Sequence, residues 1–197
     1  MSKRTDVWGL VLAGGKSRRM GSDKALLTRN GKTQLARAVA LLQRHVERVF
    51  ISTREEQADD DERRKFEQIV DRYDDMGPVA GILSAMDKNP EVAWLVVACD
   101  LPNIDDVTIT DLLDRHTKTH PFTAYSSSYD SLPEPLCAIY GIGSRSIVDE
   151  FVADGIHCPR KILIRSDTQL LQQAHADALD NINTPEDLAN STLGAAQ

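Results

Sequence analysis

The sequence predicts a three-layer α/β protein, a mostly parallel sheet with helices on both faces. Short apolar runs alternate with helical patterns from one end of the chain to the other, the signature of strands joined by crossover helices. The first apolar run stops on paired glycines, and the most hydrophobic run, VAWLVVACD (92–100), stops on an acid. A near-continuous apolar strand that closes on a carboxylate is how a central parallel strand opens onto a site.

In chain order, VWGLVLAG (7–14) reads as a buried strand and TQLARAVALLQRHV (33–46) as a helix by its apolar spacing. RVFIST (48–53) is the second strand. EEQADDDERRKFEQ (55–68) is charged throughout and is expected to be a solvated loop or helix that carries no chemistry. QIVDRY (68–73) is a third strand, and GPVAGILSAMDKN (77–89) is a glycine-led turn into a helix. After 92–100 come a helix at about 106–119, strands near 122–128 and 135–140, and a helix at about 144–154. A helix started by Pro159 and a final strand–turn–helix at 170–191 complete the chain.

Composition narrows the function. With 197 residues, 41% hydrophobic and 27% charged, the chain suits one globular domain with a proper core. A net charge of −7 argues against a general nucleic-acid-binding surface, which needs excess lysine and arginine. Any anionic ligand is therefore met locally. Cys99, Cys137 and Cys158 form no CxxC pair, so neither a zinc knuckle nor a disulfide framework is expected, and reduced thiols in a cytoplasm fit best. The N-terminus does not read as a signal peptide, and no segment approaches the roughly 18 apolar residues of a membrane span. The histidines show no metal-ligand spacing, and there is no GxSxG elbow.

The stretch LAGGKSRRMGSDKALL (12–27) meets the local requirement. Gly14 and Gly15 let the chain turn and bring amide groups to phosphate oxygens without a Cβ in the way. Lys16, Arg18, Arg19 and Lys24 add side-chain charge, arginine being able to grip two oxygens at once. The spacing is neither GxGxxG nor GxxxxGK[ST], so two common phosphate-binding readings fail. Asp100 is the first catalytic candidate: Pro102 keeps Leu101 extended and the carboxylate at the strand's mouth, where a hard cation needs oxygen. Asp71, at the end of the third strand, is placed on the same edge. In the segment GPVAG, either the helix starting near Pro78 points its positive N-terminal end at the site, or Gly77-Pro78 is a plain turn and Gly81 merely allows close helix packing.

The sixteen residues match without departure the signature LAGGxSxRMGxDKxLL of the nucleotidylyltransferases, and the chain most resembles the molybdenum cofactor guanylyltransferases. GPVAGILSAM, VACDLP and NINTPEDL are similar to that family's later motifs, so the resemblance covers nearly the whole chain. It implies a three-layer α/β/α Rossmann-like nucleotidyltransferase fold in one domain, 1–197. A nucleotide-binding part would occupy about 6–105 and a cofactor-substrate part about 106–192. It implies GMP transfer from Mg-GTP to molybdopterin with loss of pyrophosphate. By position it sets Leu12, Ala13, Gly14, Gly15 and Gly81 against the nucleotide, Lys24 and Arg19 on its phosphates, Asp71 near it, and Asp100 on Mg²⁺. Ser52 stands where the family often has an asparagine, and a hydroxyl offers one atom where an amide offers two.

The molybdopterin side falls on Arg160, Lys161, Asn181 and Asn183. The two bases either meet a phosphate or are solvated, and the two asparagines either hold the pterin or cap the helix begun by Pro185. Cytidylyl transfer to the same cofactor, transfer to a sugar phosphate, and a non-catalytic nucleotide-binding regulator are the rival readings. Implied partners are GTP, molybdopterin, other molybdenum-cofactor biosynthesis proteins and recipient molybdoenzymes, with no nucleic acid and no membrane.

Overall fold

The computed structural model describes residues 3–15, 23–173, 175 and 177–181. In chain order the elements are β1 (Val7–Leu12), a ribbon of β2 (Thr28–Arg29) and β3 (Lys32–Thr33), α1 (Gln34–Leu42), β4 (Val49–Thr53), β5 (Gln68–Val70) and α2 (Pro78–Lys88). There follow β6 (Ala93–Ala98), α3 (Asp106–Arg115), β7 (Phe122–Ser126), β8 (Pro133–Tyr140), α4 (Ser144–Ala153), α5 (Pro159–Arg165) and β9 (Thr168–Gln172). Seven strands form one sheet in the order β5-β4-β1-β6-β8-β7-β9. β1 runs parallel to β4 and β6, β4 to β5, and β7 to β9, while β8 is antiparallel to both β6 and β7. The mostly parallel sheet expected from the sequence is present.

Two-residue periodicity builds the layers. In β6, Ala93, Leu95 and Val97 enter the core shared with α1 and α3. Trp94 and Val96 enter the opposite core, with Val79, Ile82 and Leu83 of α2, Val148 of α4 and Ile162 of α5. β4 divides likewise, Val49 and Ile51 on one face and Phe50 on the other. Every residue of β6 is buried. Both faces being covered by helices accounts for its uninterrupted apolar run.

Several elements are shorter than expected, for identifiable reasons. α1 starts at a Thr33 cap, whose hydroxyl accepts from Ala36 N at 3.0 Å. It ends at Leu42, because the chain tightens into three-residue turns, Arg44 N to Leu41 O and His45 N to Leu42 O, before Val46 bridges to Arg4. β5 stops at Val70: Asp71 N still reaches Thr53 O at 2.8 Å, but Arg72 N is diverted to the Ser84 hydroxyl of α2 at 2.9 Å. α3 ends at Arg115 with His116 extended. β9 begins at Thr168, earlier than expected, and the helix expected from Pro185 lies outside the described residues.

α2 is set against the sheet by two glycines. Gly77, at φ +57°, takes a backbone conformation that side chains resist and lets Pro78 start the helix. Gly81 lies on β4 so closely that a Cβ would fall 2.2 Å from the Ser52 hydroxyl and 2.9 Å from its Cβ. The packing alternative for Gly81 is therefore what the fold displays. Gly81→Ala is expected to destabilise the protein by about 1–3 kcal/mol through overpacking, measured by urea denaturation; an unchanged midpoint would refute the tight contact.

Candidate functional site

The carboxyl ends of β1, β4, β5 and β6 share one rim, where ligands of open parallel sheets bind. Registry puts Leu12 opposite both Ser52 and Ala98, and Thr53 opposite Val70. The residues that follow these strands therefore open on a single cleft of about 610 Å³, lined by Leu12, Ala13, Gly14, Gly15, Lys24, Ser52, Asp71 and Asp100. Residues drawn from four stretches of sequence are thus brought together.

Lys24 and Asp100 meet directly. The Nζ of Lys24 donates to Asp100 Oδ2 at 3.1 Å, with side chains 16% and 22% exposed, so both are sheltered yet reachable. Lys24 opens a single 3₁₀ turn capped by Asp23, whose Oδ1 accepts from Ala25 N at 3.0 Å. Asp23 Oδ2 accepts from Arg63 at 2.7 Å, so both of its oxygens are engaged in holding the turn.

Arg63 departs from the expectation that the charged run 55–68 is solvated. The segment forms two short 3₁₀ turns, and Arg63 within it is only 1% exposed. Its guanidinium donates to Ala13 O at 2.8 Å as well as to Asp23, gripping the last residue before Gly14 and the first described residue after the glycine stretch. Arg54 Nε donates to Gly14 O at 2.7 Å. Two carbonyls beside the cleft that would repel phosphate are thereby neutralised. Arg63 was not legible from periodicity, because a buried cation among exposed ones leaves no apolar signal.

Asp71 accepts from the Ser52 hydroxyl at 2.7 Å. Burial raises its pKa above the ordinary aspartate value, opposed by the Ser52 hydrogen bond and by the charge of Arg54. Ser52, 2% exposed, is thus turned to Asp71 and backed by Gly81. Cys99 also lines the cleft, but burial pushes its thiol up to about 12, so it offers no thiolate at neutral pH. Glu55, Glu56, Tyr73, Asp74, Asp75 and Leu136 also line the cleft.

The remaining candidates separate. Gly81 is buried beneath Ser52 and does not line the cleft. Arg160 does not line it either, because its guanidinium is held by Asp130 and Glu134, each at 2.9 Å, and by Pro133 O at 3.1 Å. Lys161 is exposed on α5, outside the cleft. Asn181 is exposed, on a segment tied to the loop after Asp100 by Asn103 Nδ2 donating to Asp177 O at 3.2 Å. Arg19 and Asn183 lie outside the described residues.

A glycine-ended strand beside a lysine and an aspartate at the edge of this sheet defines an α/β nucleotidyltransferase. The model of the MobA-like NTP transferase domain matches residues 9–173, and the chain belongs to that family. A molybdenum cofactor biosynthesis bifunctional protein of Synechocystis sp. is 37% identical over 93% of this chain; the chain spans about half (53%) of that relative's length. A probable molybdenum cofactor guanylyltransferase of Geobacillus sp. is 40% identical over 67% of this chain and 68% of its own, and one from Mycobacterium avium is 29% identical over 95% and 96%. Among solved structures, molybdopterin-guanine dinucleotide biosynthesis protein A from Archaeoglobus fulgidus superposes with a TM-score of 0.77 at 24% identity, covering 93% of this chain and 95% of that one, and supports the fold.

Two outcomes follow from the contacts at this rim. Arg63→Met leaves Ala13 O without its donor and the partly exposed Asp23 carboxylate without its cation, and should cost about 1–3 kcal/mol, whereas Arg64→Met, on an exposed neighbour, should stay within about 0.5 kcal/mol; equal effects in chemical denaturation would refute the clamp. Because the fold holds the Asp71 proton more tightly than the unfolded chain does, this residue's contribution to stability falls as pH rises from the ordinary aspartate value through the folded one. Wild-type stability relative to Asp71→Asn should decline across that window and level off above it, and a difference independent of pH would contradict the shift.

Proposed function

We propose that the protein is a molybdenum cofactor guanylyltransferase, transferring GMP from GTP to molybdopterin and releasing pyrophosphate. The Lys24–Asp100 pair at the glycine-ended strand carries this reading. The names borne by the relatives from Geobacillus and Mycobacterium avium support the guanylyl and molybdenum-cofactor assignments. The reading takes the whole chain as one nucleotidyltransferase domain acting in the cytoplasm, its product passing to recipient molybdoenzymes.

The reacting groups are phosphates. The attacking phosphate of molybdopterin is already ionised at neutral pH, so no general base is required; alignment and charge neutralisation are the protein's tasks. Lys24, with the backbone at Gly14 and Gly15, meets the phosphates whose charge grows as pyrophosphate leaves, and Arg19 is assigned to the same task. Leu12, Ala13 and Asp71 line the nucleotide's place, and Asn181 and Asn183 are assigned to the pterin side.

A divalent cation suits the donor set. Among the described residues no three His, Cys, Asp or Glu side chains gather into a cage. Asp100 is a partly exposed carboxylate on the cleft wall. Mg²⁺ commonly takes one or two carboxylates and leaves its other positions to phosphate and water, so Asp100 would hold it. Bound there, the ion supplies neutralisation of the reacting phosphates.

Pyrophosphate release from GTP in the presence of molybdopterin and Mg²⁺ tests the reading. Lys24→Met and Asp100→Asn should each lower kcat by about 100- to 1000-fold, the cost of removing one preorganised charge contact, while circular dichroism stays that of the wild type. Turnover of CTP in preference to GTP, or full activity in either variant, would overturn the proposal.

A further inference from the structure

Away from the cleft, a second cavity of about 560 Å³ lies among α1, the β2–β3 ribbon and the segment from Leu101 to Asp106. Its charges are unusual for this molecule. Arg29, Lys32, Arg37 and Arg44 all line it. Arg44 is engaged, donating through Nε and NH2 to Asp106 at 2.8 Å each. Arg29 and Lys32 have no ion pair or hydrogen bond among the described residues, and Arg37 has a single contact, 3.5 Å to Pro102 O, at the outer limit for such a bond. The cavity's acids do not compensate them. Asp105 accepts from the backbone and hydroxyl of Thr108, and Asp106 is taken by Arg44 and His45.

Elsewhere most arginines have a carboxylate: Arg4, Arg48, Arg54, Arg63, Arg115, Arg145 and Arg160 each have one within ion-pair distance. In a chain with 30 acids against 23 bases, three cations lacking a carboxylate in one groove stand out.

A second observation is independent of charge. Gln34, 3% exposed, lines the same cavity, and its amide Nε2 has no hydrogen-bond partner. NH1 of Arg37 is likewise buried and unpartnered. Buried donors without acceptors cost stability, and each calls for a physical reason. Burial, together with the neighbouring Arg29, also holds the Arg37 guanidinium below its ordinary pKa, the mark of a cation lacking its counter-charge. One ligand chemistry resolves the unpaired cations and the unmet donors together: an oxyanion.

We propose that this groove is an oxyanion site distinct from the nucleotide cleft, binding inorganic phosphate or the phosphate of a monoester through Arg29, Arg37, Lys32 and the Gln34 amide. The ligand would draw Arg37 from Pro102 O, two residues from Asp100. Isothermal titration of the full chain with sodium phosphate and, separately, with methyl phosphate, at constant ionic strength set with chloride, tests it. Saturable binding of at least one is expected, weakened at least about tenfold in Arg29→Gln/Arg37→Gln, since each lost bond joins two charged groups. Lys24→Met should bind as the wild type does. Tighter binding of methyl phosphate identifies an ester ligand, and the reverse identifies the free ion. Gln34→Leu guards against a folding artefact in the double variant: it should weaken binding while raising the thermal midpoint, because an unmet buried donor is removed. Absence of saturable binding by both anions, unchanged binding in the groove variants, or loss of binding in Lys24→Met would overturn the proposal.

Discussion

One buried guanidinium sets the geometry on which the rest of the site depends. Arg63 lies inside the protein, with Ala13 O and the Asp23 carboxylate as hydrogen-bond partners. Removing such a charge from water is costly, and it is answered by the Asp23 carboxylate, Ala13 O and, at 3.6 Å, Asp60. Ala13 closes the first strand and Asp23 caps the turn that presents Lys24, so this contact fixes where the glycine stretch departs and where it returns.

The sheet supplies the other half. Four parallel strands end together, so Ala13, the Ser52 hydroxyl, Asp71 and Asp100 arrive at one edge although up to 87 residues separate them in the chain. β8 then enters between β6 and β7 in the opposite sense. Its first residues, rather than its last, therefore stand at the rim, which is how Leu136 comes to wall the cleft. The change of direction gives the second part of the chain access to the edge that the first part built.

Much of this could be read from residues alone. The alternation of apolar runs, the glycines after the first strand and the acid after the most apolar one located the strands, the turn and the Asp100 edge, because each is a local pattern with a local cause. What escaped notice has no local cause. Arg63 is one basic residue among several in an acidic run, and only the tertiary fold buries it. The roles of Ser52 and Gly81 were left open for the same reason: their contact joins a strand to a helix 29 residues later, and the close approach exists only once α2 has docked. Arg160 illustrates the converse, a base whose charge looked available in the sequence until Asp130 and Glu134 were folded against it.

The union of Lys24 with Asp100 has an implication for selectivity of another sort. In the resting molecule each neutralises the other, so a bare polyphosphate that captured the ammonium would strand the carboxylate against like charge, and a lone cation on the carboxylate would face a displaced ammonium. A ligand that brings both signs at once would divide the couple and answer both halves. The pairing thus bears on the ionic form of whatever occupies the cleft.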